Sequence, residues 1–349
     1  MLASGQRRGA ETFGFELHEA LRERGVRSEI CCLEPGDTDR RLPVRALAAS
    51  RFSLRGLREL RASAAQAEVV VAHGSSTLLA CGAGLMGSRV PFVYVSIGDP
   101  RYWAGTALRR LRARWLIRRA AAVVAISPSA RSVLVEHYDL DPERVHVVPN
   151  GRSSRVFAPA DPQQRVAARQ RLNLRTTNDV VAVVGALSPE KRVDVAIAAV
   201  SQIPDVTLVV AGDGPERSAL ETHAQRSAPG RVLFLGTTDG SVDVLAAADL
   251  VVMSSDTEGV PGILIEAGMA GLPVVATDVG WVGDVVRHDV TGLLVPPGQP
   301  DVLADAVRKA LEHRSELGEA GRRHCLDKYE MTRVTDAWQH VLVAVPRQP

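Results

Sequence analysis

Two carboxylates eight positions apart, Glu258 and Glu266, bracket the start of a helix in the stretch Ser254 to Thr277, SSDTEGVPGILIEAGMAGLPVVAT. The apolar run Leu250 to Met253 before it reads as a buried parallel strand, Asp256 to Gly259 as a loop, Pro261 as the first helical residue and Gly271 as the stop. The N–H groups of Gly262, Ile263 and Leu264 then lack an intrahelical partner and carry the positive end of the dipole, which suits a phosphate. Glu266 stands one turn in, in line with Gly262. Carboxylates repel bare phosphate but accept hydrogen bonds from hydroxyls, and a ligand with hydroxyls on both sides of its phosphates is a nucleoside diphosphate sugar. The alternative is that Glu258 is an exposed loop residue and Glu266 a solvated helix residue.

The elements that must position such a ligand lie on either side. Val180 to Leu187 reads as a strand, followed by Ser188-Pro189-Glu190-Lys191-Arg192 and a helix to Val200. With Ser188 as cap and Pro189 as first helical residue, Lys191 and Arg192 fall in the first turn, where the dipole disfavours cations. An anion bound between them resolves the conflict. The chain has only three lysines, Lys191, Lys309 and Lys328, beside 39 arginines, and one of them is here. Strand Val206 to Ala211 delivers Gly212, and Val232 to Leu235 delivers Gly236; taken alone these are ordinary turn glycines. Thr291 to Val295 is a last strand, and helices follow from Asp301.

The Glu-x7-Glu spacing followed by Ala-Gly-Met-Ala-Gly-Leu-Pro-Val-Val-Ala-Thr-Asp-Val-Gly resembles the donor-site signature of family 4 glycosyltransferases. The resemblance implies an α/β chain of GT-B fold, two doubly wound Rossmann-like domains facing across a cleft, and sugar transfer with retention of anomeric configuration. Ala186 to Arg192 is similar to the family's Gly-Arg-Leu-x-x-x-Lys-Gly element, whose lysine neutralises the donor diphosphate, with Ala186 in place of the arginine and Arg192 in place of the last glycine. It further implies that Glu258 orients the sugar hydroxyls and Glu266 the ribose, while Gly212, Gly236, Gly259, Gly262 and Ile263 approach the nucleotide and its phosphates. The leaving diphosphate would be met by Lys191, Arg192 and the helix tip, with no metal and no cofactor beyond the UDP- or GDP-linked sugar itself. Front-side attack, with the departing phosphate taking the acceptor proton, accords with retention.

The first half follows the same β-loop-α-β pattern. Only Met1 to Ser4 precede Gly5-Gln6-Arg7-Arg8-Gly9-Ala10-Glu11, so most of a first strand is expected upstream. This opening is similar to the family's Gly-Gly-Ala-Glu loop near the donor phosphates, with Arg8 for the first glycine, so Gly9 carries the resemblance; its other reading is a tight turn. A helix is expected over Glu11 to Arg24 and strands over Ser28 to Leu33, Glu68 to Ala72, Pro91 to Ile97, Ala122 to Ser127 and Val145 to Val148. His73 follows one strand end, where doubly wound folds place ligands, and is a catalytic candidate beside a structural reading. After Pro91 to Ile97 the family often carries a histidine where this chain has Gly98, which leaves Asp99 as the nearest ionisable group, facing the acceptor or serving as a turn aspartate. Pro149-Asn150-Gly151 resembles the family's crossover. The expected domains are therefore 1–151 and 152–326, with the last helix, about 327–349, packing back on the first.

The remaining signals set limits. Gly82-Ala83-Gly84-Leu85-Met86-Gly87 has GxGxxG form but closes a helix and precedes a strand, which argues against a dinucleotide cofactor. The four cysteines show no ligand spacing and read as small core residues of a reducing compartment. No run of eighteen apolar residues and no signal-type start is present, so a cytoplasmic location is expected. Residues 1–150 hold 22 basic against 15 acidic side chains, a net +7, while 151–349 sum to −5, so the first half is expected to meet an anion. Seven arginines in 40–61 read as a basic surface helix. Thr106 to Ala121, TALRRLRARWLIRRAA, reads as a second basic amphipathic helix, either solvated over a core stripe that includes Leu108, Leu111, Trp115 and Ile117 or lying on anionic lipid at the inner membrane face. Missing aromatic interleaving excludes nucleic acid as partner. Beside the transferase, with its unidentified acceptor, two further readings remain open: a GT-B nucleotide-sugar hydrolase or epimerase, and a non-catalytic carbohydrate or lipid-surface binding protein.

Overall fold

A computed structural model describes residues 1–6, 9–36, 41–51, 53–99, 101, 106–174 and 177–346. They form two compact units, residues 1–151 with 331–349, and residues 152–330. In the first unit, strands β1 (Leu2–Ser4), β2 (Cys31–Glu34) and β3 (Arg45–Ala46) pair in parallel in that order, and β4 (Val70–His73), β5 (Phe92–Ser96), β6 (Ala122–Ala125) and β7 (Val145–Val147) form a second parallel set. Met1 joins the two sets: its N donates to the Val71 carbonyl at 2.6 Å and its carbonyl accepts from His73 N at 3.1 Å. The first strand is three residues long, and Leu2 at its start is fully buried. Helix Gly9–Glu23 buries Phe13, Leu17 and Leu21, and the last helix, Met331–Ala344, buries Val334, Trp338 and Val341. Arg24 ties the two helices by bonding Asp336, Gln339 and the Thr332 carbonyl.

In the second unit six parallel strands, β8 (Asp179–Val184), β9 (Val206–Ala211), β10 (Val232–Gly236), β11 (Leu250–Met253), β12 (Val274–Thr277) and β13 (Leu293–Val295), run in the order β10-β9-β8-β11-β12-β13. The strands are apolar on both faces because helices cover both. Val181, Val183, Leu208, Val210, Leu250 and Val252 feed one core. Their alternates Val180, Ala182, Val209, Ala211, Val251 and Met253 feed the other. The strand order reverses between β8 and β11, the position at which doubly wound sheets place their ligands.

Three sequence expectations change. Residues 40–61 are not one helix: β3 occupies Arg45–Ala46, the helix is Leu54–Ala64, and Arg51 is pulled down to pair with Glu34. Arg40 lies outside the described residues. In the helix Ala107–Arg118, capped by Thr106, the core stripe is Ala113, Leu116 and Ile117, while Leu108, Leu111 and Trp115 are 78%, 64% and 52% exposed. Arg114 and Arg118 both reach Asp139, the C-cap of the next helix, Pro128–Tyr138, at the surface. Third, Pro189–Lys191 is an isolated 3-10 turn and the α-helix begins at Val193, because Arg192 adopts a left-handed conformation, φ 46°, between them. None of the four cysteines is paired, and Cys32, Cys81 and Cys325 are buried. No helix among the described residues is long and apolar enough to cross a membrane.

Trp338 is fully buried whereas Val343 in the same helix is 86% exposed. Trp338→Ala is expected to cost about 3–5 kcal/mol of unfolding free energy, and Val343→Ala less than about 0.5, as measured by denaturant unfolding.

Candidate functional site

The loops after β8 and β11 are stitched to each other. Leu250 pairs with Val181 and Val251 with Ala182, Asp256 N donates to the Glu190 carbonyl at 2.8 Å, and the Ser254 hydroxyl donates to the Arg192 carbonyl at 2.7 Å. This brings Lys191 to Glu258: Nζ lies 2.6 Å from Oε1, and the same oxygen accepts from the Ser255 hydroxyl at 2.7 Å. Lys191 is 30% exposed along its side chain and Glu258 11%, so the pair is half sheltered. The backbone behind Glu258 is fixed by close approach. Gly280, φ 55°, lies so near that a Cβ there would be 1.8 Å from the Glu258 carbonyl oxygen. Thr277 adds a hydrogen bond to the Ser255 carbonyl at 2.6 Å.

The helix after β11 spans Gly262–Met269. Pro261 is its N-cap rather than its first residue, and the Leu264 N–H is taken by the Pro261 carbonyl at 3.2 Å. Two N–H groups, those of Gly262 and Ile263, are therefore left at the tip rather than three. Glu266 is not solvated: its side chain is 14% exposed, Oε1 accepts from Arg152 Nε at 2.7 Å, and Oε2 accepts from the Ser241 hydroxyl at 2.5 Å.

Arg192 pairs with Asp194 at 3.1 Å and Asp256 at 3.3 Å, and the hydrogen bond to Asp194 in particular raises its pKa above the ordinary guanidinium value. Its charge is already compensated twice. Gly212 and Gly236 sit at adjoining strand ends, Gly212 N donating to the Gly236 carbonyl at 2.7 Å, beside Gly185 at the end of β8. Gly259 lies in the loop between Glu258 and the helix. Lys191, Arg192, Gly212, Gly236, Glu258, Gly259, Gly262, Ile263 and Glu266 thus all stand at the carboxyl edge of one sheet.

Gly9, His73 and Asp99 belong to the first unit. Gly9 opens its helix in open space. Asp99 accepts from the Arg101 N–H at 2.9 Å and pairs with its guanidinium at 2.6 Å, the turn arrangement. His73 ends β4 but is 6% exposed, its ring 6.4 Å from Phe13 and 6.2 Å from Trp338, with Nδ1 buried and unbonded. Burial lowers its pKa to about 3, so the imidazole is neutral. The structure also brings in four residues that sequence reading left unassigned: Arg152, Ser241, Ser255 and Gly280. Ser255 and Gly280 stood inside or next to the quoted motif. Arg152 and Ser241 are 114 and 25 positions from the glutamate they serve and carry no local signal.

Family models cover most of the chain. Residues 7–154 match the model described as Glycosyltransferase Family 4, and residues 164–324 the one described as Glycosyl transferases group 1. A D-inositol 3-phosphate glycosyltransferase of Jonesia denitrificans is 34% identical over 63% of this chain and 59% of its own length. An alpha-maltose-1-phosphate synthase of Mycolicibacterium smegmatis is 32% identical over 65% of this chain and 62% of its own. The chain thus spans less than two thirds of the length of these curated relatives. Anabaena Alr3699/HepE, solved in complex with UDP, superposes with a TM-score of 0.85 over 99% of this chain and 100% of that one at 22% identity; the same protein was also solved with UDP-glucose. This likeness shows the GT-B fold, built from two Rossmann-like units.

His73 gives this subsection its measurable consequence. Its folded-state pKa lies below the unfolded value of 6.5, so the unfolded chain takes up the proton first as pH falls. The stability it contributes is complete above pH 6.5 and is lost on acidification toward about pH 3. Between pH 7 and pH 5 the unfolding free energy of the native chain should fall by about 2 kcal/mol relative to that of His73→Leu, at about 1.4 kcal/mol per pH unit below 6.5. Parallel pH profiles of the two proteins would contradict this.

Proposed function

Because the chain belongs to the family 4 glycosyltransferases, we propose that it moves a sugar from a UDP-sugar to an anionic or membrane-associated acceptor, with retention and without a metal. The observation that carries this reading is the juxtaposition, at the switch point between β8 and β11, of the Lys191–Glu258 pair with the two free N–H groups at the tip of Gly262–Met269. A diphosphate placed there takes over Lys191 and accepts from Gly262 and Ile263, and Glu258, released from the lysine, turns its oxygen to the sugar hydroxyls. Glu266 receives the ribose. As the bond from the anomeric carbon to the diphosphate oxygen breaks, negative charge grows on the diphosphate, and Lys191 with the helix tip lowers the barrier by stabilising it. The acceptor hydroxyl forms the new bond on the same face and passes its proton to the departing phosphate oxygen, so UDP leaves and configuration is kept. Arg192, expected from the sequence at the diphosphate, is already held by two aspartates and makes no phosphate contact in this reading. The UDP and UDP-glucose bound to Alr3699/HepE support uridine as the base.

The acceptor side rests on the helix Ala107–Arg118. Leu108, Leu111 and Trp115 recur at i, i+3 and i+7 on one exposed stripe, Arg119 stacks over Trp115 at 5.0 Å, and Arg109 and Arg112 are exposed beside them. An apolar stripe flanked by arginines fits the interface of an anionic bilayer. The relatives named for D-inositol 3-phosphate, a phosphate ester, are consistent with an anionic acceptor.

Lys191→Ala should lower turnover by about 10²–10³, with a small fall in the melting temperature without ligand because the sheltered Glu258 keeps the Ser255 hydroxyl but loses its cation. UDP should raise the melting temperature more than GDP does, and EDTA should leave turnover unchanged. Lys191→Ala that still folds cooperatively and keeps full turnover would return these residues to a structural role. Separately, the chain should co-sediment with vesicles containing anionic lipid and be released by salt, through screening over about 10 Å at 0.1 M. Replacing Arg109, Arg112 and Arg119 together by Gln should abolish pelleting, and equal pelleting with neutral vesicles would contradict the lipid contact.

A further inference from the structure

Arg152 follows Pro149-Asn150-Gly151, and its backbone is pinned by the N–H donating to the Tyr329 carbonyl at 2.8 Å. Its side chain is 6% exposed, an unusual state for a guanidinium, and runs to the start of the helix Gly262–Met269. There it fits because residue 262 is glycine: a Cβ at that position would lie 2.4 Å from Nη2 of Arg152. Arg152 Nε then donates to Glu266 Oε1 at 2.7 Å, while the Ser241 hydroxyl holds Oε2. Burying such a pair is seldom a route to stability, since desolvating both charges offsets most of their attraction. What it does supply is orientation.

We propose that Arg152 is the positioning residue for ribose recognition by Glu266, an inference that rests on the reading of Glu266 given above. The terminal torsion of a glutamate is broad and nearly two-fold, so a carboxylate left alone samples many planes. One donor on each oxygen fixes that plane. A carboxylate offers about four lone-pair sites, and Arg152 and Ser241 use one on each oxygen. The site left on each oxygen accepts one of two vicinal hydroxyls, so the arrangement selects a ribose cis-diol over a 2′-deoxyribose. Arg152 and Ser241 also hold the carboxylate in place beforehand, so ligand binding orders nothing further there.

The probes are UDP and 2′-deoxy-UDP, titrated by calorimetry into the full chain. The native protein is expected to prefer UDP by about tenfold or more, the loss of one hydrogen bond to a charged acceptor. Arg152→Met should weaken UDP by about tenfold and bring the preference below about threefold. Arg152→Lys should restore part of it. Glu266→Gln should show the same collapse, and combining it with Arg152→Met should add little, as residues acting through one contact do not add. Ser241→Ala keeps the buried charge pair and should lower the preference by about threefold, which preserves the test if Arg152→Met does not fold. If Glu266→Gln loses the preference while Arg152→Met, or in its absence Ser241→Ala, retains it, Glu266 reads ribose unaided and the positioning role is overturned. If Glu266→Gln retains the preference, the ribose reading itself fails and takes the proposal with it. A melting temperature lowered by Arg152→Met with an unchanged preference makes the arginine structural and also overturns it.

Discussion

The parallel pairing of β8 with β11, Val181 against Leu250 and Ala182 against Val251, puts next to each other two loops whose key residues stand 67 positions apart in the chain. Each loop alone is ordinary. Together, at the place where the strand order reverses, they set one lysine, one glutamate and the start of a helix side by side. The hydrogen bonds from Asp256 N to Glu190 and from Ser254 to Arg192 keep the loops in register, and the Gly280 contact behind Glu258 leaves that residue no room to retreat. Apolar strands buried on both faces make the edge rigid.

Charge is compensated throughout this edge before any ligand arrives. Lys191 has Glu258, Arg192 has Asp194 and Asp256, and Arg152 has Glu266. The three pairs differ in exposure, and that difference sorts their roles. The Arg152–Glu266 pair is the most sheltered, which suits the fixed support proposed for it. Lys191 keeps 30% of its side chain exposed, in keeping with the proposed exchange of its partner for a diphosphate. Exchange is what the proposed chemistry needs: a cation available to the leaving group and a carboxylate released to the sugar.

Much of this was legible in the sequence, for local reasons. Apolar runs and glycine-ended helices mark the parallel strands, and the stretch from Ser254 to Thr277 encodes a loop, a helix start and the next strand within 24 residues. The helix start at Val193 was not legible in full, because a left-handed Arg192 is set by its two aspartates, one of them 64 positions away. Nor was the Arg152–Glu266 contact, which spans 114 positions and depends on a glycine in a third place. Leu108, Leu111 and Trp115 carry the right spacing for a core stripe, yet Ala113, Leu116 and Ile117 form the stripe that is buried. Periodicity gives a face; it does not say which side of the helix the protein covers.

The donor site at the β8–β11 switch point is most directly tested by a crystal structure of the chain with UDP bound. The expected result is Lys191 Nζ within hydrogen-bonding distance of a phosphate oxygen, the terminal phosphate at the N–H groups of Gly262 and Ile263, and Glu258 parted from the lysine. UDP bound elsewhere, or bound with the Lys191–Glu258 pair still intact at its present 2.6 Å, would contradict it.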